Sequence, residues 1–326
     1  MSSALNGLRS VLLAGLVTGG LVLTGLRLAE PDTGLGLLVT SFTPYGLVAW
    51  LLVLAHALLR IVRGPRRRLW AVAAVAVAVP VTLHAWWLAP AYVGPQPPPA
   101  AGATPFRLMS ANLLVGGGDG IDLVRAATRA AADLLVVEEI TVTELAAMES
   151  AGLDELFPHR VGEPGTGLEG LMVFSAYPLT DPTRVSLSLG GWTATAATPD
   201  GPVRVLGVHP QPPTLAGDVW RSDQAVLREA AAGVDLVAGD LNATPDHVAL
   251  LRLADDGLRS AAEVANEGWQ PTWPAGGSRR VLGVPLPPLV QIDHVLVGRR
   301  VAALSVETVE VDGSDHRAVV AELALK

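Results

Sequence analysis

Eight oxygen- and nitrogen-bearing side chains lie at or just past the ends of apolar runs. Asn112 closes FRLMSAN, Glu139 follows DLLVVE, His209 closes VRVLGVH, and Asp240 and Asn242 close VDLVAGDLN. Asp293 lies in QIDHVLV, and Asp315 and His316 precede RAVVAEL. Strand ends that feed loops are where layered α/β folds collect catalytic groups. Brought to one edge, these carboxylates and amides make an oxygen-rich cavity suited to a hard divalent cation, with two imidazoles left for hydrogen bonding. Taken singly, each has a plainer use: Asn112 and Asn242 suit turns, Asp240 caps a helix, Glu139 is solvated, His209 is structural and Asp293 balances an Arg. Their order, each tied to an apolar strand, favours the joint reading.

Other chemistries fit less well. The chain has no Cys, which removes disulfides, Cys-ligated zinc and thiol nucleophiles. Gly116 to Gly120 is followed by no Gly-Lys-Ser/Thr, so it reads as a turn rather than a phosphate-binding loop. Ser175 lies in FSAYP rather than a G-x-S-x-G elbow, and no H-E-x-x-H occurs.

The elements that must position these residues alternate. Strands are expected at FRLMSAN, DLLVVEEI, LEGLMVFSAYPL, VSLSL, VDLVAGD, QIDHVLV, ALSVETVEV and HRAVVAEL, with a hairpin in WTATAATPDGPVRVLGVH turning at Pro199 to Gly201. Helices are expected over Ile121 to Ala132, TVTELAAMES, WRSDQAVLREAAA and PDHVALLRLA, the second opened by a capping box of Thr141 and Glu144. This pattern predicts a layered α/β domain with mixed sheets.

Ahead of it lies different material. Of 326 residues 50% are hydrophobic and 17% charged, and the mean hydropathy is +0.41, too apolar for an ordinary soluble enzyme. Ser10 to Leu26, Gly34 to Leu59 and Leu69 to Val93 lack charge, and spans need about 20 apolar residues. Three transmembrane helices are expected in a membrane domain of residues 1–93, although the first run also has the look of a signal peptide. Arg60, Arg63, Arg66, Arg67 and Arg68 fill the loop before the third span. The positive-inside rule keeps that loop in the cytoplasm and sends everything after the third helix outside. Trp86, Trp87 and Tyr92 suit an interfacial belt. GPQPPPAAGATP, residues 94–105, reads as an extended linker to an extracytoplasmic domain of residues 106–326. Residues 96–326 hold 16 basic and 29 acidic residues, a net −13, which repels a polyanion such as duplex DNA.

The succession MSANLL, DLLVVEEIT, GLMVFSAYPL, VLGVHPQPP, AGDLNATPD, QIDHVLV and GSDHRAVV resembles the endonuclease/exonuclease/phosphatase superfamily over about residues 105–326. The resemblance implies a four-layer α/β/β/α sandwich, like deoxyribonuclease I, and Mg²⁺-dependent phosphoester hydrolysis, with Mn²⁺ as a substitute. It makes Glu139 the metal-binding Glu, with Asn112 and Asp315 beside the metal. His209 becomes the imidazole that bonds a phosphate oxygen, and Asp240 and Asn242 the pair that orients the attacking water. Asp293 becomes the carboxylate that orients catalytic His316. Two positions depart from the family pattern: Glu138 stands where Gln is common, and Ala176 where Arg often follows the Ser. The three spans and PTWPA, with Trp273 and nearby Trp269 as entrance-lining candidates, are further similar to a membrane-anchored bacterial branch that includes the teicoplanin-resistance protein VanJ. That branch points to lipid-linked phosphates of the cell envelope as substrate. An extracellular nuclease or phosphodiesterase and a catalytically silent sensor or binding protein are the alternatives.

The orientation is checked with single cysteines in the Cys-free chain. Ala101→Cys should react with an impermeant maleimide on intact cells, and Gly64→Cys only after lysis; the reverse labelling would invert the topology.

Overall fold

The computed structural model describes residues 2–214 and 216–326, with side chains from residue 7 onward. The chain divides into two compact units, one ending at Pro90 and the other Ala91–Lys326.

In the first unit, α1 (Ser2–Ala29), α2 (Gly34–Thr40), α3 (Thr43–Arg63) and α4 (Arg67–Leu88) follow one another. Among the described residues three helical stretches are long and apolar enough to cross a membrane: Gly7–Ala29, Thr43–Arg63 and Arg67–Ala91. The second differs from the expected Gly34 to Leu59. The helix breaks between α2 and α3, and Pro44 lies in the first turn of α3. A proline there gives no N–H to the preceding turn, so the chain restarts its helix rather than continuing it. Thr24 ties the helices together. Its hydroxyl donates to the Gly20 carbonyl (2.7 Å), accepts from Trp50 Nε1 (3.0 Å) and meets His84 Nε2 (2.9 Å). A Cβ at Gly20 would lie 2.6 Å from the Trp50 ring, and one at Gly46 2.3 Å from His84. Small residues thus admit the large polar rings, as packing between membrane helices favours.

The second unit's strands are β1 (Phe106–Asn112), β2 (Leu134–Glu138), β3 (His159–Glu163), β4 (Leu171–Ser175), β5 (Leu179–Arg184), β6 (Gly191–Thr198) and β7 (Gly201–Val208). They continue as β8 (Leu236–Asp240), β9 (Arg259–Ser260), β10 (Arg280–Val281), β11 (Val284–Pro285), β12 (Asp293–Val297), β13 (Val301–Glu310) and β14 (Arg317–Leu325). Its helices are α5 (Gly120–Ala130), α6 (Val142–Ser150), α7 (Leu153–Leu156), α8 (Gly217–Ala230), α9 (Val248–Asp255) and α10 (Ala261–Ala265). The described residues form two six-stranded sheets, ordered β13-β14-β1-β2-β4-β3 and β5-β6-β7-β8-β12-β9, and a small β10-β11 hairpin.

Alternation along the strands builds the layers. Leu108, Leu134, Val136 and Val173 of the first sheet meet Val205, Leu236, Ala238 and Val295 of the second. Met109, Leu135 and Val137 point the other way, onto Leu123 and Val124 of α5 and Met148 of α6. Trp220 and Leu227 of α8 and Leu250 and Leu253 of α9 are buried behind the second sheet. The result is the expected α/β/β/α stack. Thr141 caps α6 by accepting the Glu144 N–H, the first half of the anticipated capping box, while the Glu144 carboxylate returns to the Thr141 hydroxyl rather than to its backbone N–H.

VSLSL, residues 185–189, is not a strand. Its alternation is genuine, but buried Asp223 takes the Ser188 N–H and hydroxyl, and Leu187 N–H turns back on the Val185 carbonyl. Side-chain capture of the backbone replaces the ladder. The edge strand β3, mostly half-buried and polar, has no apolar alternation to announce it. The Pro-rich segment is held to the second unit rather than running free. Asn266 Nδ2 donates to the Gly94 carbonyl, Gln96 Nε2 to Ala265, and Ala100 N–H to Leu325.

Gly239 precedes the site and has φ +149°; a Cβ there would sit 1.9 Å from the Val208 carbonyl oxygen of the paired strand. Gly239→Ala is expected to lower unfolding stability by about 3 kcal/mol or more. A melting temperature unchanged from the parent protein would contradict this register.

Candidate functional site

Six strands deliver polar residues to one edge between the two sheets. β1 and β2 are parallel with Asn112 opposite Glu138, so Asn112 and Glu139 leave at the same end. β14 runs antiparallel to β1, so Asp315 and His316, just before it, arrive at that end too. In the second sheet β7 and β8 are parallel, placing His209 beside Asp240, and β12 pairs antiparallel with Asp293 opposite Asp240. Parallel strands contribute their ends and antiparallel strands their beginnings, and the eight expected residues converge.

The contacts are close. Asn112 Nδ2 donates to Glu139 Oε1 (3.0 Å) and Asp240 Oδ2 (3.3 Å), while its Oδ1 accepts from Leu114 N–H (2.9 Å). The amide nitrogen, not the oxygen, therefore faces the carboxylates, which differs from an Asn serving as a cation ligand. Asp240 Oδ1 accepts from Asn242 N–H (2.8 Å), and Asn242 is anchored to the Pro210 carbonyl and by Trp220 Nε1. His209 Nε2 lies 3.7 Å from both Glu139 Oε1 and Asp240 Oδ2, with its Nδ1 at the Leu168 carbonyl (3.2 Å). His316 Nδ1 is bonded to Asp293 (2.9 Å), and its Nε2 is 3.9 Å from Asp240 Oδ2 and 3.7 Å from Asp315 Oδ1. Glu139 (φ +55°) and Asn242 (φ +47°) adopt left-handed backbone. Asn tolerates this, but for Glu it costs about 1 kcal/mol or more, a strain held where function gathers.

The titrations follow from crowding. Burial pushes the Glu139 carboxyl up, and burial and the Asp293 charge do the same to Asp240. Burial, then the positive His316, lowers His209 to about 4, leaving it neutral with Nδ1–H on the Leu168 carbonyl. Burial opposes charge on His316, but Asp293, Asp240 and Asp315 outweigh it and raise its pKa to about 10.

The donor set fits a hard divalent cation. Glu139 Oε2 and Asp315 Oδ1 are buried with no hydrogen-bond partner. A unit-charge pair about 4 Å apart interacts by about 4 kcal/mol at an effective dielectric near 20, so several close carboxylates cannot all ionise on one imidazolium. Asp240, Asp293 and His316 also bring ligand-capable atoms within 4.8 Å of one another. His316 Nδ1 is already committed to Asp293, however, and an imidazolium is no ligand. The unpartnered oxygens of Glu139 and Asp315 are the better cation donors.

Several supporting residues carry no signal a single sequence could announce. Ser314 Oγ donates to the Asn112 carbonyl and accepts the His316 N–H, and Thr272 Oγ1 accepts the Asp293 N–H. Asp223 holds Gln211, two residues after His209. Glu138, where the resemblance expects Gln, is fully buried, its Oε1 accepting from Ser110 and its Oε2 without a hydrogen-bond partner; burial, then Asp293 and Asp240, pushes its pKa well up. Trp273 Nε1 donates to Asp315 Oδ2 (3.0 Å), a positioning contact, whereas Trp269 is half-buried four residues upstream. Ala176 bears on no site contact. Glu138 faces Leu171 while Leu134 faces Ser175, which puts Ala176 at the far edge, about 16 Å along the strand.

The model of the endonuclease/exonuclease/phosphatase family matches residues 109–316. No curated protein matches the chain in sequence. Among solved structures it is similar to an endonuclease/exonuclease/phosphatase from Beutenbergia cavernae (19% identity, TM-score 0.53, covering 68% of this chain and 72% of that one). It is similar to a family protein from Bacteroides thetaiotaomicron (13%, 0.53, 69% and 99%). It is also similar to D. rerio TDP2 complexed with single-strand DNA product (12%, 0.56, 68% and 99%). At these identities the likeness is one of fold.

The His316–Asp293 pair has a direct test in metal-free protein. Because the folded pKa is raised from 6.5 to about 10, its stabilisation is full below the unfolded value and fades as pH climbs through the folded one. Imidazole NMR should show His316 protonated at about pH 8 and largely neutral there in Asp293→Asn. A parent His316 titrating near 6.5 would contradict the pairing.

Proposed function

The chain belongs to the endonuclease/exonuclease/phosphatase family, and from that premise we propose that it is a membrane-anchored, divalent-metal-dependent phosphoester hydrolase working outside the cytoplasm on lipid-linked phosphate or pyrophosphate of the cell envelope. The family's fold is that of phosphoester hydrolases. The observation that carries the reading is the pair of buried, unpartnered carboxylate oxygens on Glu139 and Asp315 beside a His–Asp dyad at one sheet edge. A site with both is built for a cation and a phosphate together, which argues against a silent binding protein.

The reaction is in-line attack of water on phosphorus with departure of the ester or anhydride oxygen. Glu139 and Asp315 would hold Mg²⁺, or Mn²⁺ in its place, and the cation would supply Lewis-acid charge to the phosphoryl group. Asp240 takes the water proton. Its Oδ1 is tied to Asn242 N–H; Oδ2 takes one long hydrogen bond from Asn112 Nδ2 and keeps a second lone pair for water, and its raised pKa suits a base near neutrality. His316, an imidazolium braced by Asp293, donates from Nε2 to a phosphoryl oxygen rather than acting as the base. His209 binds the phosphate by taking a proton from solvent at Nε2, which the arriving anion favours, and donating it as a hydrogen bond to a phosphate oxygen. Asn112 bridges Glu139 and Asp240 by donating from one amide nitrogen to both carboxylates.

Substrate class rests on the three apolar helices and on charge. A tethered enzyme meets lipid head groups at high local concentration, and a net of −13 disfavours duplex DNA.

The test is a phosphate-release screen of the purified full chain against polyprenyl pyrophosphate, phospholipids and DNA. Turnover should require Mg²⁺ or Mn²⁺ and fall about 100-fold or more in Asp240→Asn and His316→Ala, with folding retained. Mg²⁺ should raise the melting temperature of the parent, and not of the Glu139→Gln, Asp315→Asn double variant. Full turnover in Asp240→Asn would remove the proposed base, and release from DNA alone would select the nuclease.

A further inference from the structure

Among the described residues of the second unit, the exposed large apolar side chains beyond Tyr92 and Val93 at its start are Leu114, Val115, Val142, Val281, Leu282, Val284 and Leu304. All but Leu304 lie in three segments rooted at the functional edge. Leu114 and Val115 follow Asn112, with Leu114 N–H bonded to its side chain. Val142 begins α6, three residues after Glu139. Val281, Leu282 and Val284 form the β10–β11 hairpin. That hairpin grows from the loop whose Trp273 bonds Asp315 and lies under Arg279, 5.6 Å from guanidinium to ring centre.

The hairpin is built against its own conformational interest. Its two turn residues, Leu282 and Gly283, have φ +51° and +81°. This mirror-image turn ordinarily takes Asn, Asp or Gly first. Here a leucine holds the position and is 100% exposed. Leu114 and Val115 are likewise exposed apolar residues at φ +50° and +48°. Strained backbone bearing bare apolar side chains is costly in water and marks a contact surface. The charges name the contact. Residues 268–292 include Arg279 and Arg280 and no acid, inside a segment whose net charge is −13. An apolar tip flanked by arginines matches an acyl boundary beneath anionic phosphates.

We propose that these three segments are a bilayer-docking rim around the functional edge, with Val281, Leu282 and Val284 entering the acyl boundary while Arg279 and Arg280 meet lipid phosphates. The rim lets the site reach a phosphate whose tail stays in the membrane, so the preferred substrate is an amphiphilic phosphoester. This rests on the hydrolase reading for its substrate, though not for the docking itself.

The test uses the full chain, which has no native Cys, in vesicles of phosphatidylcholine and phosphatidylglycerol. An environment-sensitive fluorophore on Leu282→Cys should shift to the blue and be quenched by nitroxide on lipid tails, while one on Leu304→Cys should do neither. A Leu282 probe as wet as the Leu304 probe overturns the docking. A blue-shifted probe that lipid-borne nitroxide does not quench overturns it too, in favour of contact between copies of the chain. In the activity arm, Val281→Ser, Leu282→Asp, Val284→Ser should lose roughly tenfold or more turnover of a long-chain lipid phosphoester in vesicles and keep its turnover of a soluble phosphodiester. Equal loss on both substrates counts against the rim. If no phosphoester is hydrolysed yet the Leu282 probe is quenched, the hydrolase reading falls and the docking stands.

Discussion

An excess of buried carboxylate at one sheet edge is the constraint around which the second unit is arranged. Glu138, Glu139, Asp240, Asp293 and Asp315 are all buried within a few strands' width, and His316 is the cation the chain itself supplies among them. Desolvated like charges are tolerated only when neutralised, protonated or given a counter-ion. Each remedy is visible: Glu138 is pushed toward its neutral form, His316 is held as an imidazolium, and Glu139 and Asp315 keep one oxygen each without a partner. The last of these is where the proposed cation would fit.

The rest of the architecture holds that excess in position. Antiparallel entry of β12 and β14 beside parallel exit of β1, β2, β7 and β8 concentrates the groups, and a dry core between the sheets lets none retreat inward. Left-handed backbone at Glu139 and Asn242 and a close approach at Gly239 are local costs of the same arrangement. Natural folds accept such costs where activity resides and offset them in the surrounding core. The first unit solves a different problem. There Thr24, Trp50 and His84 satisfy one another in an apolar helix bundle, so their polar atoms need no water.

The α/β/β/α order was implied by the motif resemblance. Alternating apolar strands and capped helices made a layered α/β domain with mixed sheets legible in the sequence, because burial enforces period two in strands and near four in helices. It failed at VSLSL, where Asp223, 35 residues later, captures Ser188, and at β3, a polar edge strand. The single long second span was misjudged for a local reason, since Pro44 ends one helix and starts the next. At the site, the eight residues were recognisable from their places at strand ends and from a motif resemblance. Their partners Ser314, Thr272 and the Leu168 carbonyl were not.

Residue type and strand position alone therefore determined which side chains were available for cation and phosphate chemistry, because a strand's end and its alternation are properties of the local chain. The tertiary structure decided what each one does there. Only pairing across strands turns the Asn112 amide nitrogen toward the carboxylates, sends Trp273 to Asp315 and Ala176 to the opposite edge, and commits His316 to Asp293. Orientation and protonation depend on neighbours far apart in the chain, and those neighbours exist only once the two sheets have closed on each other.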